Sequence, residues 1–118
     1  MLTHFLLYHQ KFFQDQRGKI FEFGSGMAIP SLAALKSKTV DGVILQELNI
    51  QSLLEMQRLI FDAHGLNEQS GLMQLPLKWG TFPPTDFLEQ HGKDIRIFVA
   101  ADCLYERNGT YRKVMLMF

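Results

Sequence analysis

The chain has 118 residues, 47% hydrophobic and 20% charged, with twelve basic and twelve acidic side chains. That is one domain's length, apolar enough to build a core. A formal net charge of zero gives no electrostatic footprint for nucleic acid or an anionic membrane, so neither is expected as a partner. One cysteine, Cys103, excludes an internal disulfide framework. No apolar run reaches the ~18 residues of a membrane span, and the first residues lack a signal peptide's basic start and small-residue cleavage site. The expected location is cytoplasm or nucleus.

Leu2, Phe5, Leu6, His9, Phe12 and Phe13 recur with a helical period and predict one amphipathic helix over residues 2–14. A turn follows from Asp15 to Gly18, and Ile20–Phe23 is the first predicted strand. Residues 27–37 predict a helix, with Pro30 tolerated in its opening turn. Val43–Leu45 is a short buried strand ending at Gln46-Glu47. Asn49 then offers an N-cap. Ile50, Leu53, Leu54, Gln57, Ile60 and Phe61 mark a helix closed by Gly65. Leu72–Leu77 is a third strand, Lys78–Pro84 a loop and Thr85–His91 a helical turn. Ile95–Ala101 is a fourth strand, apolar on both faces except at Arg96. Thr110–Phe118 reads as one more helix or strand. Strands alternating with helices imply a parallel sheet with right-handed crossovers. The predicted fold is a single α/β domain, a Rossmann-like doubly wound sheet of strand order 3-2-1-4.

Chemistry concentrates at four places. Glu22-Phe23-Gly24-Ser25-Gly26 joins the first strand to its helix. Glycines there let the backbone approach a ligand where a Cβ would clash; a ligand-free tight turn is the alternative. The dinucleotide fingerprint needs a third glycine where Ile29 stands, which counts against NAD. Glu47 ends the second strand, where this fold aims a carboxylate at ribose hydroxyls; otherwise it is a solvated acid before a helix. Trp79, the only tryptophan, follows the third strand and offers a flat face to an adenine, or fills the core rim. After the fourth strand come Ala101, Asp102 and Tyr105. The acid and the phenol suit a cationic substrate side chain, or Asp102 caps a helix. His4, His9, His64 and His91 have no metal-ligand spacing with Cys103 or each other, so no metal is expected.

Glu22-Phe23-Gly24-Ser25-Gly26, Ile29-Pro30-Ser31, Glu47, Leu77-Lys78-Trp79-Gly80 and Ala101-Asp102-Cys103-Leu104-Tyr105 occur in this order. The set resembles the methyltransferase-like protein methyltransferases, a branch of the class I S-adenosylmethionine enzymes. Within them it is most similar to a branch of histone-arginine methyltransferases. The resemblance implies S-adenosyl-L-methionine as cofactor and a protein substrate, a histone among the candidates, methylated on an arginine or lysine side-chain nitrogen. It implies that Gly24, Ser25 and Gly26 wrap the methionine end and that Glu22 supports that loop. It further implies that Glu47 holds the ribose, that Trp79 and Ala101 border the adenine, and that Asp102 and Tyr105 lie beside the methyl acceptor as catalytic residues. Ala28 replaces a family glycine. The family fold has seven strands and this sequence supplies four, so the chain reads as the N-terminal, cofactor-binding part of an incomplete methyltransferase fold. Two expectations follow: an open edge on the fourth strand that promotes self-association, and, as the alternative to an active enzyme, a non-catalytic remnant that serves as a cofactor-binding or interaction module.

Overall fold

The alternation of strand and helix in the sequence becomes a layered α/β sheet. The computed structural model describes residues 1–81 and 83–101. Two short helices lead in, α1 (Leu2–Tyr8) and α2 (Gln10–Gln16). Then come β1 (Lys19–Phe23), α3 (Ile29–Lys36), β2 (Gly42–Glu47), α4 (Gln51–Ala63), β3 (Leu72–Pro76), α5 (Thr85–His91) and β4 (Ile95–Ala100). The sheet runs β3-β2-β1-β4 with every pair parallel. The chain steps outward from β1 to β3, then returns to lie on the other side of β1. Strand order therefore reverses between β1 and β4, and in open α/β sheets ligands bind outside the carboxyl ends of the strands at such a reversal.

Helices cover both faces, so the strands read as apolar runs rather than as alternation. On one face Ile20, Val43, Leu45, Leu72 and Val99 meet Leu32 and Leu35 of α3, Phe61 of α4 and Leu6 of α1. On the other, Phe21, Phe23, Ile44 and Leu75 meet Phe87 of α5 and the half-buried Trp79. One irregularity lets β4 serve both faces. Lys19 pairs with Ile95 but Ile20 pairs with Ile97, leaving Arg96 as an extra residue. Strict alternation would put Ile95, Ile97 and Val99 on one face; the bulge sends Ile95 to the α5 face and keeps Ile97 and Val99 on the α3 face. Gly18 faces this bulge at φ 143°, and a Cβ there would collide with Cγ of Arg96 and the carbonyl oxygen of Asp94.

Several expectations are corrected. The lead-in helix over residues 2–14 is two helices broken at His9 (φ −98°, ψ 25°). After the break the Nε2 groups of Gln10, half-buried, and Gln14, exposed, donate to the carbonyls of Ser37 and Lys38 at 3.0 and 3.2 Å, just past the end of α3. Of the predicted stripe, Leu2 and Phe13 pack half-buried against the core, Phe5 and Phe12 are exposed, and only Leu6 is fully buried. Helix α3 starts at Ile29, not at residue 27, because Ala28 is left-handed (φ 56°). Asn49 is not the cap of α4: that helix starts at Gln51 with Ile50 at the cap position and no side-chain cap bond. Its other end is as expected. Gly65 (φ 72°) donates to the Asp62 carbonyl at 2.9 Å and Leu66 to the Phe61 carbonyl at 2.9 Å, a Schellman closure.

Candidate functional site

At the carboxyl end of β1 the chain turns through Gly24, Ser25 and Gly26. Gly24 and Gly26 sit at φ 54° and 51°, and Ala28 adds a third left-handed residue before α3. Glycine occupies two of these places because a Cβ disfavours that region.

The turn is pinned by backbone-to-protein bonds. The Gly24 N–H donates to Oε1 of Gln46 at 2.9 Å, and the Ser25 N–H to the Gln46 carbonyl at 3.0 Å. The Gly26 N–H donates to Oε2 of Glu47 at 2.8 Å, and the Ala28 N–H to the Ser25 carbonyl at 2.7 Å. From α4, Nε2 of Gln57 donates to Oγ of Ser25 at 2.8 Å and to the Gly26 carbonyl at 2.7 Å. Oε1 of Gln57 in turn accepts from Nε2 of Gln74 on β3 at 3.0 Å, whose second bond goes to the Leu54 carbonyl at 2.8 Å. On the α5 face, Oε1 of Gln46 also accepts from Nε1 of Trp79 at 2.7 Å, and its Nε2 donates to the Leu77 carbonyl at 2.6 Å. Gln46 and Gln57 are almost wholly buried. Each amide is oriented by its partners, as a buried polar group must be to avoid a desolvation penalty.

Glu22 is buried beneath the turn, 3% exposed, and accepts from the hydroxyl and the backbone N–H of Ser31. Helix α3 has no side-chain cap of its own, so this carboxyl on β1 serves its first turn, where an acid also suits the helix dipole. Burial raises the Glu22 pKa above the ordinary carboxyl value of 4.5, outweighing the Ser31 bonds, which pull it down.

Glu47 is half-buried beside the same turn. Its Oε2 accepts from Gly26, and its Oε1 accepts from the Leu48 N–H at 2.9 Å. A carboxylate oxygen has two lone pairs, so each oxygen keeps one acceptor position for an incoming donor. Above Gly26 there is open space: a Cβ built there meets no heavy atom within 4 Å.

Glu22, Gly24, Ser25, Gly26 and Glu47 therefore converge at the carboxyl ends of β1 and β2, and Trp79 is tied to them through Gln46. Trp79 packs its ring on the α5-face cluster, with the indole N–H already donated. Ala101 is exposed and immediately follows Ala100, which pairs with Phe23 across the strand reversal. Asp102 and Tyr105 lie outside the described residues. A groove between α4 and β3, lined by Leu54, Arg58, Asp62, Leu72 and Pro76 among others, holds none of the sequence-predicted site residues. Among the described residues, no three His, Cys, Asp or Glu side chains cluster as metal ligands.

Sequence reasoning missed Gln46, Gln57 and Gln74 as site residues. Their signal was a misfit: Gln57 falls on the apolar stripe of α4, and Gln46 ends an apolar strand. A glutamine in a buried register needs partners, and these find them at the glycine turn. No family model matches the chain, and no curated protein matches it.

Proposed function

We propose that the carboxyl ends of β1 and β2 bind S-adenosyl-L-methionine and that the chain serves transfer of its methyl group to an arginine or lysine nitrogen of a protein, a histone among the candidates. The observation that carries this reading is the state of the turn: its amides are consumed by the protein, while the space above Gly26 is open. A pyrophosphate is held by free N–H groups at a helix N-terminus. Here the amides of Gly24, Ser25, Gly26 and Ala28 already donate within the protein, and the Glu47 carboxylate would repel a phosphate. Ile29, in place of a third glycine, points the same way. A cofactor with ribose hydroxyls, a positive sulfonium and no phosphate fits this chemistry. Its hydroxyls match the two acceptor positions left on Glu47, and its amino-acid end matches the crevice that glycine keeps clear.

When bound, the cofactor supplies an activated methyl group. The residues on this chain align it: Glu47 fixes the ribose end, and the glutamine bonds hold the glycine turn without further reorganisation. Asp102 and Tyr105, just past β4, are the groups proposed to hold the cationic acceptor. Calorimetry with S-adenosylhomocysteine on wild type and Glu47→Ala tests the site. Removing one or two hydrogen bonds to a charged group should weaken binding about tenfold to a hundredfold. Unchanged affinity in the variant would remove Glu47 from the site.

A further inference from the structure

We infer that Gln46 is a positioning residue of the cofactor site: it locks Trp79, the wall offered to a base, and the glycine turn, offered to an amino-acid end, into one fixed arrangement. The inference rests on the reading proposed above. Gln46 is the last residue but one of β2 and is 1% exposed. Its Oε1 accepts from the Gly24 N–H at 2.9 Å and from Nε1 of Trp79 at 2.7 Å. Its Nε2 donates to the Leu77 carbonyl at 2.6 Å, and its own carbonyl accepts from the Ser25 N–H at 3.0 Å. Two of these bonds grip the glycine turn, and two grip the segment that carries Trp79.

The partners leave the amide one orientation. A backbone N–H and an indole N–H only donate, and a backbone carbonyl only accepts. Turned over, the amide would set its NH₂ against two donors and its oxygen against the Leu77 carbonyl. An amide oxygen has two lone pairs, and here both are taken. Holding β2 to β3 does not require this side chain. The backbone ladder already pairs the two strands as far as Glu47 and Pro76, and the Leu77 N–H adds a bond to the Glu47 carbonyl at 3.0 Å. What the side chain adds is a direct tie between Gly24, after β1, and Trp79, past β3. The Trp79 ring packs on the α5-face cluster, which buries its face, while Gln46 fixes its N–H edge. Binding is tighter when the contacting groups are held in place beforehand, because less freedom is lost on association.

Hydrogen exchange followed by NMR on the full chain reads this tie without any ligand. Trp79 is the only tryptophan, so its indole N–H gives a single resonance. In the wild type that N–H and the Gly24 amide should both be protected. Gln46→Met keeps the length of the side chain and removes its bonds. Both groups should then exchange at least about tenfold faster, while the Gly26 amide, held by Glu47, keeps its protection. Gln46→Glu retains an acceptor for both donors and should restore both. If Gln46→Met does not fold, Trp79→Phe decides: it removes the indole donor alone, and the Gly24 amide should lose protection. Gly24 protection that survives the deciding variant overturns the inference. Calorimetry with S-adenosylhomocysteine gives the second readout. Gln46→Met should bind about tenfold more weakly, and Gln46→Glu within about threefold of the wild type. Unchanged affinity in a folded Gln46→Met overturns the positioning role. A wild type whose two groups are protected through Gln46 but which binds no S-adenosylhomocysteine sinks the cofactor reading and leaves the tie between Gly24 and Trp79 standing.

Discussion

The glycine turn and the lead-in helices manage polarity in opposite ways. At the turn, polar groups are buried: Glu22, Ser25, Gln46 and Gln57 lie in the interior, each with a partner. On α1 and α2, Phe5, Tyr8 and Phe12 face water, while Gln10 and Gln14 bond the carbonyls just past α3. Buried polar groups are costly unless satisfied, and a satisfied network fixes one geometry. Exposed rings cost the monomer little but leave a surface with something to gain from contact. One region is thus fixed by a satisfied polar network, and the other carries exposed apolar surface.

The first way to break that comparison is Gln57→Leu. It leaves Oγ of Ser25 and the Gly26 carbonyl without their α4 donor and strips the acceptor from Gln74. Unsatisfied buried groups cost ~1–3 kcal/mol each, so urea unfolding should show a loss of roughly 2–4 kcal/mol. A loss within ~0.5 kcal/mol, the range of an ordinary surface change, would mean that the amides do not hold the turn.

Gly26→Ala sharpens the comparison by separating shape from occupancy. The new Cβ meets no protein atom, so only the left-handed backbone resists it, at about 1–2 kcal/mol. The same methyl enters the space assigned to the cofactor. S-adenosylhomocysteine affinity should fall by about a hundredfold, roughly 2.7 kcal/mol, more than stability falls. Equal affinity in a folded variant would place the ligand elsewhere.

A smaller effect comes from Glu22. Its pKa is raised by burial above 4.5 in the folded state, so the folded state keeps the proton to higher pH than the unfolded chain does. Stability then falls as pH rises from the ordinary glutamate range through the raised value and is level above it. Glu22→Gln should remove this slope and be relatively most favourable at neutral pH. Urea midpoints at acidic and neutral pH check it. A wild type that gains stability over Glu22→Gln on going from acid to neutral would reverse the sign and show that the Ser31 bonds outweigh burial.

The smallest change belongs to the outer surface. Tyr8→Ser, at a side chain 85% exposed, should move monomer stability by no more than ~0.5 kcal/mol. A loss of several kcal/mol would mean that this exposed ring supports the fold itself.

What the sequence could show divides along the same line. Long-range order was legible: alternation of apolar runs and helical periods implied the parallel sheet and its order, and the glycines after Glu22 marked the turn at the carboxyl end of β1. The lead-in helix was misjudged because periodicity reports that a stripe exists, not which way it faces. Leu6 and Phe13 meet the core while Phe5 and Phe12 of the same stripe do not, and Gln10 and Gln14 tie α2 to carbonyls beyond α3, more than twenty residues away in sequence. The Arg96 bulge was hidden because Ile95, Ile97 and Val99 look like one face until the pairing with β1 is known. The glutamine network was hidden for the same kind of reason. Gln46, Gln57 and Gln74 come from three elements, and only the fold brings them to one turn.

The central claim is that this turn receives a cofactor with ribose but no pyrophosphate. Its most direct test is calorimetric titration of the folded chain with S-adenosylhomocysteine and, in parallel, with NAD. The account predicts saturable binding of the first and none of the second at matched concentration. A folded chain that binds NAD and ignores S-adenosylhomocysteine would contradict it, and the glycine turn would then serve a dinucleotide despite Ile29.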